Sequence, residues 1–345
     1  MTRIAAQSPQ ASQAYDLVNN LQQRFVAGLE KLAESLGSQQ SFTAVEWLRD
    51  EGLHGGGVRY GTADGDLFGR GSVNVSQVHY DDNPDKKLSS ANALSTIIHP
   101  RHPHAPSVHI HISWTEMRSG HGYWRMMADL NPSIENPAAT ATFLEAMQVA
   151  APEQYQEAIA QGERYFFIPV LNRHRGVAHF YLEQYRTHDT TADFALAKVV
   201  GEAAIDVYLS ILTQALVSPP TVSEADQKAQ LAYHTLYFFQ VLTLDRGTTT
   251  GLLVHHQNDV GILGSLPAYV DRDLLRSWVD KMPEPQGALL ESLIAALPLS
   301  SPSLVDDAVK LKLADIIRQH YRTHPGAIAL QASADVIPST VNNHQ

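Results

Sequence analysis

Residues 108–116 (VHIHISWTE) alternate tightly between core-type and polar side chains, residues 123–130 read as a second strand, and the short segment 117–122 leaves no room for a helix between them. A period of two is the mark of a half-buried strand. Strands joined this closely pair antiparallel, because a parallel pair needs a crossover of about a dozen residues or more. Residues 165–170, 177–185, 241–245 and 251–256 also read as strands. The glycine-rich, turn-punctuated stretch 55–80 suits short strands and tight loops.

Helices cluster around this β-rich middle. Tyr15, Leu17, Val18, Leu21, Phe25, Val26, Leu29 and Leu32 recur at helical spacing over residues 11–36 before Gly37 stops the run. Further helices are expected at 137–149, 152–163, 192–217, 223–239, 270–281, 287–297 and 304–322, with Pro219 and Pro220 dividing the third of these from the fourth. Strands in consecutive runs, with helices before and after, predict an α+β protein with a large, mostly antiparallel sheet. One domain is expected over residues 1–324. The small, polar segment 325–345 reads as a mobile tail.

With 345 residues, 44% hydrophobic and 18% charged, the composition is that of an ordinary globular chain. A formal charge of −11 argues against a nonspecific binder of nucleic acid or anionic membrane. The same field requires that any strongly anionic small molecule be held by local cations. Cysteine is absent, which excludes disulfides, thiolate nucleophiles and iron–sulfur clusters, and leaves His, Asp, Glu and water as possible metal ligands. The first residues lack the apolar core of a signal peptide and no apolar stretch of about 18 residues occurs, so a cytoplasmic protein without a membrane span is expected.

The most specific run is Ser95-Thr-Ile-Ile-His99-Pro100-Arg-His-Pro103-His-Ala-Pro106-Ser-Val-His109. It resembles the segment of oxygen-dependent coproporphyrinogen III oxidases in which a serine, a His-Pro, two more prolines and a second histidine stand at this spacing. Other matches follow in order. Gly71 to Ser76 is similar to the family's glycine-valine-asparagine strand, Asp129-Leu130-Asn131-Pro132 to its DLTP, Arg175-Gly176 to the pair before its GIGG, and Asp245-Arg246-Gly247-Thr248 to its WDRGT.

The resemblance, spanning about residues 45 to 270, implies an antiparallel sheet covered by helices on both faces, a homodimer and no organic cofactor. The implied reaction is the oxidative decarboxylation of two porphyrinogen propionates to vinyl groups with dioxygen as acceptor, in haem biosynthesis. Carried across by motif, His109 would donate a proton, Asp129 would accept hydrogen bonds from pyrrole N–H groups, and Arg246 would bind a propionate. Ser95 would touch substrate, with His111, Arg175, Asp245 and Gln257 as further substrate-binding candidates.

The sequence also departs from the pattern. The family's His-Ala-Asn-x-Arg becomes His109-Ile110-His111-Ile112-Ser113, so Ser113 stands where the arginine would be. Its WWFGGGxDLTP becomes Gly122 to Pro132, and bulky side chains, Arg125, Met126 and Met127, replace glycines. Its Gly-Gly-Arg becomes His255-His256-Gln257, and the GIGG glycines become Val177-Ala178-His179. Added histidines bordering one cavity suggest a second reading, in which His99, His109, His111, His255 and His256 hold a divalent transition metal (Fe, Cu, Mn or Zn) in an oxidase or oxygenase of a less anionic substrate.

Overall fold

A computed structural model describes residues 2–334 and 343–344. Its centre is a seven-stranded sheet in the order β1-β2-β3-β4-β5-β6-β9. The strands are β1 (Thr43–Leu48), β2 (Gly55–Thr62), β3 (Phe68–His79), β4 (Leu88–Pro100), β5 (Ser107–Met117), β6 (Gly122–Asn131) and β9 (Ala178–Tyr185). Every neighbouring pair is antiparallel. Two-residue strands β7 (Phe167–Ile168) and β8 (Arg173–His174) form a separate ribbon between β6 and β9.

Pairing register divides the sheet into two chemically distinct faces. On one face Val73, Val75, Leu94, Ile98, Val108, Ile110, Ile112, Met126, Ala128, Leu130, Phe180 and Leu182 are buried in a single apolar core. Helices α1 (Pro9–Ser35) and α4 (Thr190–Val217) cover it with Leu21, Phe25, Leu29, Val200, Ile205 and Tyr208, and α2 (Pro137–Ala150) adds Phe143 and Met147. Each such side chain removed from water contributes roughly 1.5–3 kcal/mol. Helix α1 starts where Ser8 accepts the N–H of Ala11 and Pro9 occupies the first turn, and it stops before Gly37 at φ 74°.

The opposite face carries the polar rows. Arg59, Asn74, Ser95, His111, Met127 and Tyr181 pair in sequence across β2 to β9, and beside them run Gly61, Ser72, Ile97, His109, Asp129 and His179. Helices α5 (Glu224–Thr243), α6 (Arg246–Val254), α7 (Asp259–Ile262), α8 (Arg272–Arg276), α9 (Gln286–Ala296) and α10 (Asp307–Thr323) cover this side. They form a second core with Tyr237, Phe238, Leu252, Leu293 and Ile317, to which Ile97 of the sheet contributes. The expected α+β architecture, a large antiparallel sheet with helices on both faces, is what the chain adopts.

Three expected strands are corrected. Residues 241–245 and 251–256 are mostly helical, lying at the ends of α5 and α6. Residues 235–244 are buried without interruption, and a helix enclosed on all sides loses the one-faced periodicity that identifies it. Residues 165–170 begin as the end of α3 (Tyr155–Phe166) and contain only the short β7. Strands β1 and β4 were not anticipated. In β4 the small side chains Ala91, Ala93 and Ser95 on the polar face blur the alternation.

Residues 325–330 form a 3-10 turn with Ala327 buried, and Gln331 donates to Thr249 at 2.6 Å and Tyr321 at 3.1 Å. The rest of the expected mobile tail, 335–342 and 345, lies outside the described residues. Among the described residues no helix is long and apolar enough to cross a membrane.

Candidate active site

Between the polar face of the sheet and the α5–α6 layer lies a cavity of about 230 Å³. Ser95, His109, His111, Arg125 and Met127 line it from the sheet, Tyr165 and Arg175 from the α3–β9 side, and Tyr237, Asp245, Thr248 and His255 from the helical side. Sequence positions far apart are thereby brought together. The register explains how: Ser95 sits directly opposite His111, and His111 opposite Met127.

At one end His109 leans on a buried charge cluster. Its Nδ1 donates to Asp129 Oδ1 at 2.9 Å, while Oδ2 of Asp129 accepts from Arg175 Nη2 at 2.7 Å and from Asn131 Nδ2 at 2.6 Å. Asp129 is fully buried. Burial alone would raise its pKa, but Arg175, His109 and Asn131 outweigh it and hold the carboxyl below its ordinary range. Arg175 reaches Asp129 from the turn at Gly176, whose φ of 82° and close approach to Asn131 require glycine. The guanidinium is stacked between the Phe166 and Tyr237 rings.

This arrangement fixes what each group can do. With both oxygens engaged and no exposure, Asp129 is not itself offered to a ligand in the cavity; it orients the His109 ring and supports a positive charge on it. Expected to meet pyrrole N–H groups, Asp129 has its oxygens taken by His109, Arg175 and Asn131. Arg175, expected to touch substrate, has its charge taken by Asp129.

Asp245 caps α6, accepting the N–H of Thr248 at 2.7 Å, and accepts the Tyr165 hydroxyl at 2.8 Å. Burial and the nearby Asp245 carboxylate keep that phenol well above its ordinary pKa, so it remains a donor. Arg246, expected to hold a propionate, is buried and pairs with Glu183 of β9, which also accepts the Tyr181 hydroxyl at 3.1 Å. Ser95 faces the cavity as expected.

Of the five histidines considered as metal ligands, His109, His111 and His255 line the cavity, each held by other partners, and His99 and His256 do not. His99 is buried away from the cavity, with Nδ1 against Ser107 at 2.9 Å and Nε2 against the Ser265 carbonyl at 3.2 Å. His111 bonds Ser113 through Nε2 at 2.9 Å, and burial together with Arg125 and His109 holds it well below the ordinary histidine pKa. His255 packs on Arg49 at 2.9 Å, and its pKa is depressed by burial first and by that guanidinium second. His256 and Gln257 are exposed, and Gln257 accepts the N–H of Asp50 at 3.2 Å. Among the described residues no three His, Asp or Glu side chains form a group that could hold a metal ion. His179, also expected at the cavity, lies instead between the Phe166 and His174 rings and bonds Glu163 at 2.8 Å.

Trp47, Tyr165, Tyr237 and Arg125 line the cavity without having been anticipated as site residues. For Arg125 the signal was available: it lies four residues before Asp129 on one strand, so both project from the same face. The aromatic residues gave no comparable signal, since they arrive from separate elements.

A family model described as coproporphyrinogen III oxidase matches residues 13–286. Among curated proteins, the mitochondrial oxygen-dependent coproporphyrinogen-III oxidase of Rattus norvegicus is 27% identical over 251 residues, covering 66% of this chain and 56% of the rat protein. The oxygen-dependent coproporphyrinogen-III oxidase of Prochlorococcus marinus is 27% identical over 287 residues, covering 70% of this chain and 82% of that protein. The chain thus spans just over half the length of the rat relative.

Proposed function

The chain belongs to the coproporphyrinogen III oxidase family, and on that premise we propose that it converts porphyrinogen propionates to vinyl groups, with coproporphyrinogen III as substrate and dioxygen as acceptor. The observation that carries this reading is the His109–Asp129–Arg175 chain at the wall of a cavity that Ser95 also lines. Each turnover removes carbon dioxide and one hydrogen with its electron pair, formally a hydride, from one propionate side chain, and the second proton that peroxide needs comes from the medium. Dioxygen, taking up the two electrons and two protons, leaves as hydrogen peroxide.

In this reading His109 manages the proton. Its Nδ1–H is committed to Asp129, so its Nε2 is the atom that gives or takes a proton in the cavity. Asp129, held ionised by Arg175 and Asn131, stabilises the imidazolium form at the moment it is needed. Tyr165 and Asp245, bonded to each other, fix a second polar part of the cavity wall. The implied homodimer belongs to the same proposal and is measured by sedimentation equilibrium.

The test supplies anaerobically prepared coproporphyrinogen III, admits oxygen, and resolves the products by chromatography with fluorescence detection after air oxidation. Decarboxylated porphyrin above the enzyme-free control, with matching peroxide, is the expected result. Unchanged coproporphyrin in the presence of oxygen rejects the assignment.

A further inference from the structure

We propose that Arg125 is the cation that holds a substrate carboxylate in this cavity, taking the place of an arginine lost from the neighbouring strand at Ser113. The inference rests on the function proposed above and names how this chain grips that class of ligand.

Arg125 lines the cavity from β6, on the same face as Met127 and Asp129. Its side chain is 15% exposed, and its ion pair with Glu183 is 3.9 Å long, beyond hydrogen-bonding reach. Glu183 is meanwhile engaged at close range by Arg246 and by the Tyr181 hydroxyl. The buried Nε of Arg125 has no hydrogen-bond partner among the described residues. A guanidinium offers five donors, and removing one from water is costly unless an anion receives them. Of the arginines among the described cavity-lining residues, Arg175 is committed to Asp129 at 2.7 Å, which leaves Arg125 to meet an incoming anion.

Cross-strand register adds an independent argument. Ser113, at the position where the related motif carries arginine, pairs directly with Arg125 across β5 and β6. Side chains so paired start about 4.5–5.5 Å apart at Cβ, well within the reach of an arginine. One cation has gone and another has come at adjacent points of one face, while a glycine of the pattern was replaced to admit it. His111, two residues before Ser113 on the same face, is kept neutral and so does not compete for the anion. The ligand this geometry fits carries a carboxylate on a flexible arm, with its ring edge towards His109.

The experiment titrates the protein with coproporphyrin III, an air-stable tetracarboxylate, and with its tetramethyl ester, following porphyrin fluorescence. Arg125→Gln should weaken binding of the acid by about 10- to 100-fold, the range for a lost hydrogen bond to a charged group, and leave ester binding unchanged. Arg125→Lys should recover part of the loss. The double variant Arg125→Gly with Ser113→Arg should restore affinity by returning the cation across the strand, and it keeps the proposal testable if the single variants fold poorly. Acid binding by Arg125→Gln within twofold of wild type, or equal loss of acid and ester, overturns the proposal. Arg125-dependent binding without turnover of coproporphyrinogen III rejects the proposed reaction and keeps this inference; turnover with KM unchanged in Arg125→Gln does the reverse.

Discussion

Arg175 and Asp129 meet at 2.7 Å with side chains only 2% and 0% exposed, and the arginine carbon lies 4.7 Å from the Phe166 ring centre and 4.8 Å from that of Tyr237. Such a pair is more costly to break than to replace. Removing one partner strands the other charge out of water, at about 3–5 kcal/mol. Arg175→Gln should therefore lower unfolding stability in urea by roughly that amount, and the joint change Arg175→Met with Asp129→Asn should cost less than the single one. A single variant as stable as wild type would show that the ion pair carries no such burden.

His109→Gln keeps a hydrogen-bonding side chain of similar reach but cannot cycle a proton. General acid–base groups are worth about 100- to 10,000-fold, so kcat for porphyrinogen decarboxylation should fall within that range with little change in KM. Steady-state kinetics would settle it; a fall in KM-dependent affinity alone would assign His109 to binding instead.

Acid sensitivity should begin above the carboxylate range. His234 is half-buried, its Nε2 is shielded and has no partner among the described residues, and burial, assisted by Arg101, lowers its pKa to about 4. Since the folded value lies below the unfolded one, the unfolded chain binds the extra proton first. Stability is complete above about pH 6.5 and declines as pH falls towards 4, by at most about 1.4 kcal/mol per pH unit for this group. Denaturant midpoints measured across that interval should show a shallower decline in His234→Leu, and parallel curves would count against this origin.

Asp245 serves both the α6 N-terminus and the Tyr165 hydroxyl. Asp245→Ala should lose about 0.5–2 kcal/mol through the cap, whereas Asp245→Asn retains an acceptor and should lose less. Thermal unfolding of the two variants distinguishes capping from general damage, because only the first explanation ranks asparagine above alanine.

Much of this was legible in the chain. The alternation VHIHISWTE placed His109 and His111 on one face and Ile110 and Ile112 on the other, and the helices at 11–36 and 192–217 announced the layer that covers the apolar side. What escaped detection has physical causes. Residues 235–244 are buried without interruption, so the last turn of α5, beyond the expected helix at 223–239, carries no one-faced pattern, and the short apolar run 251–254 does not by its pattern distinguish the end of α6 from a strand. The site was half visible: motif spacing found His109, Asp129 and Ser95. It did not reveal that Asp129 is sealed behind His109, or that His99, His256 and Gln257 lie away from the cavity, because orientation and burial are set by partners distant in sequence.

The antiparallel meander also separates inheritance from invention. Along β3 to β6, residues of one parity mostly pack into the core under α1, α2 and α4, while many of the other parity line the cavity. Selection can therefore rewrite alternate letters of these strands, exchanging glycine for Arg125 or arginine for Ser113, while the intervening letters keep the frame standing. A lineage with this layout can explore new ligands one strand position at a time without refounding its scaffold.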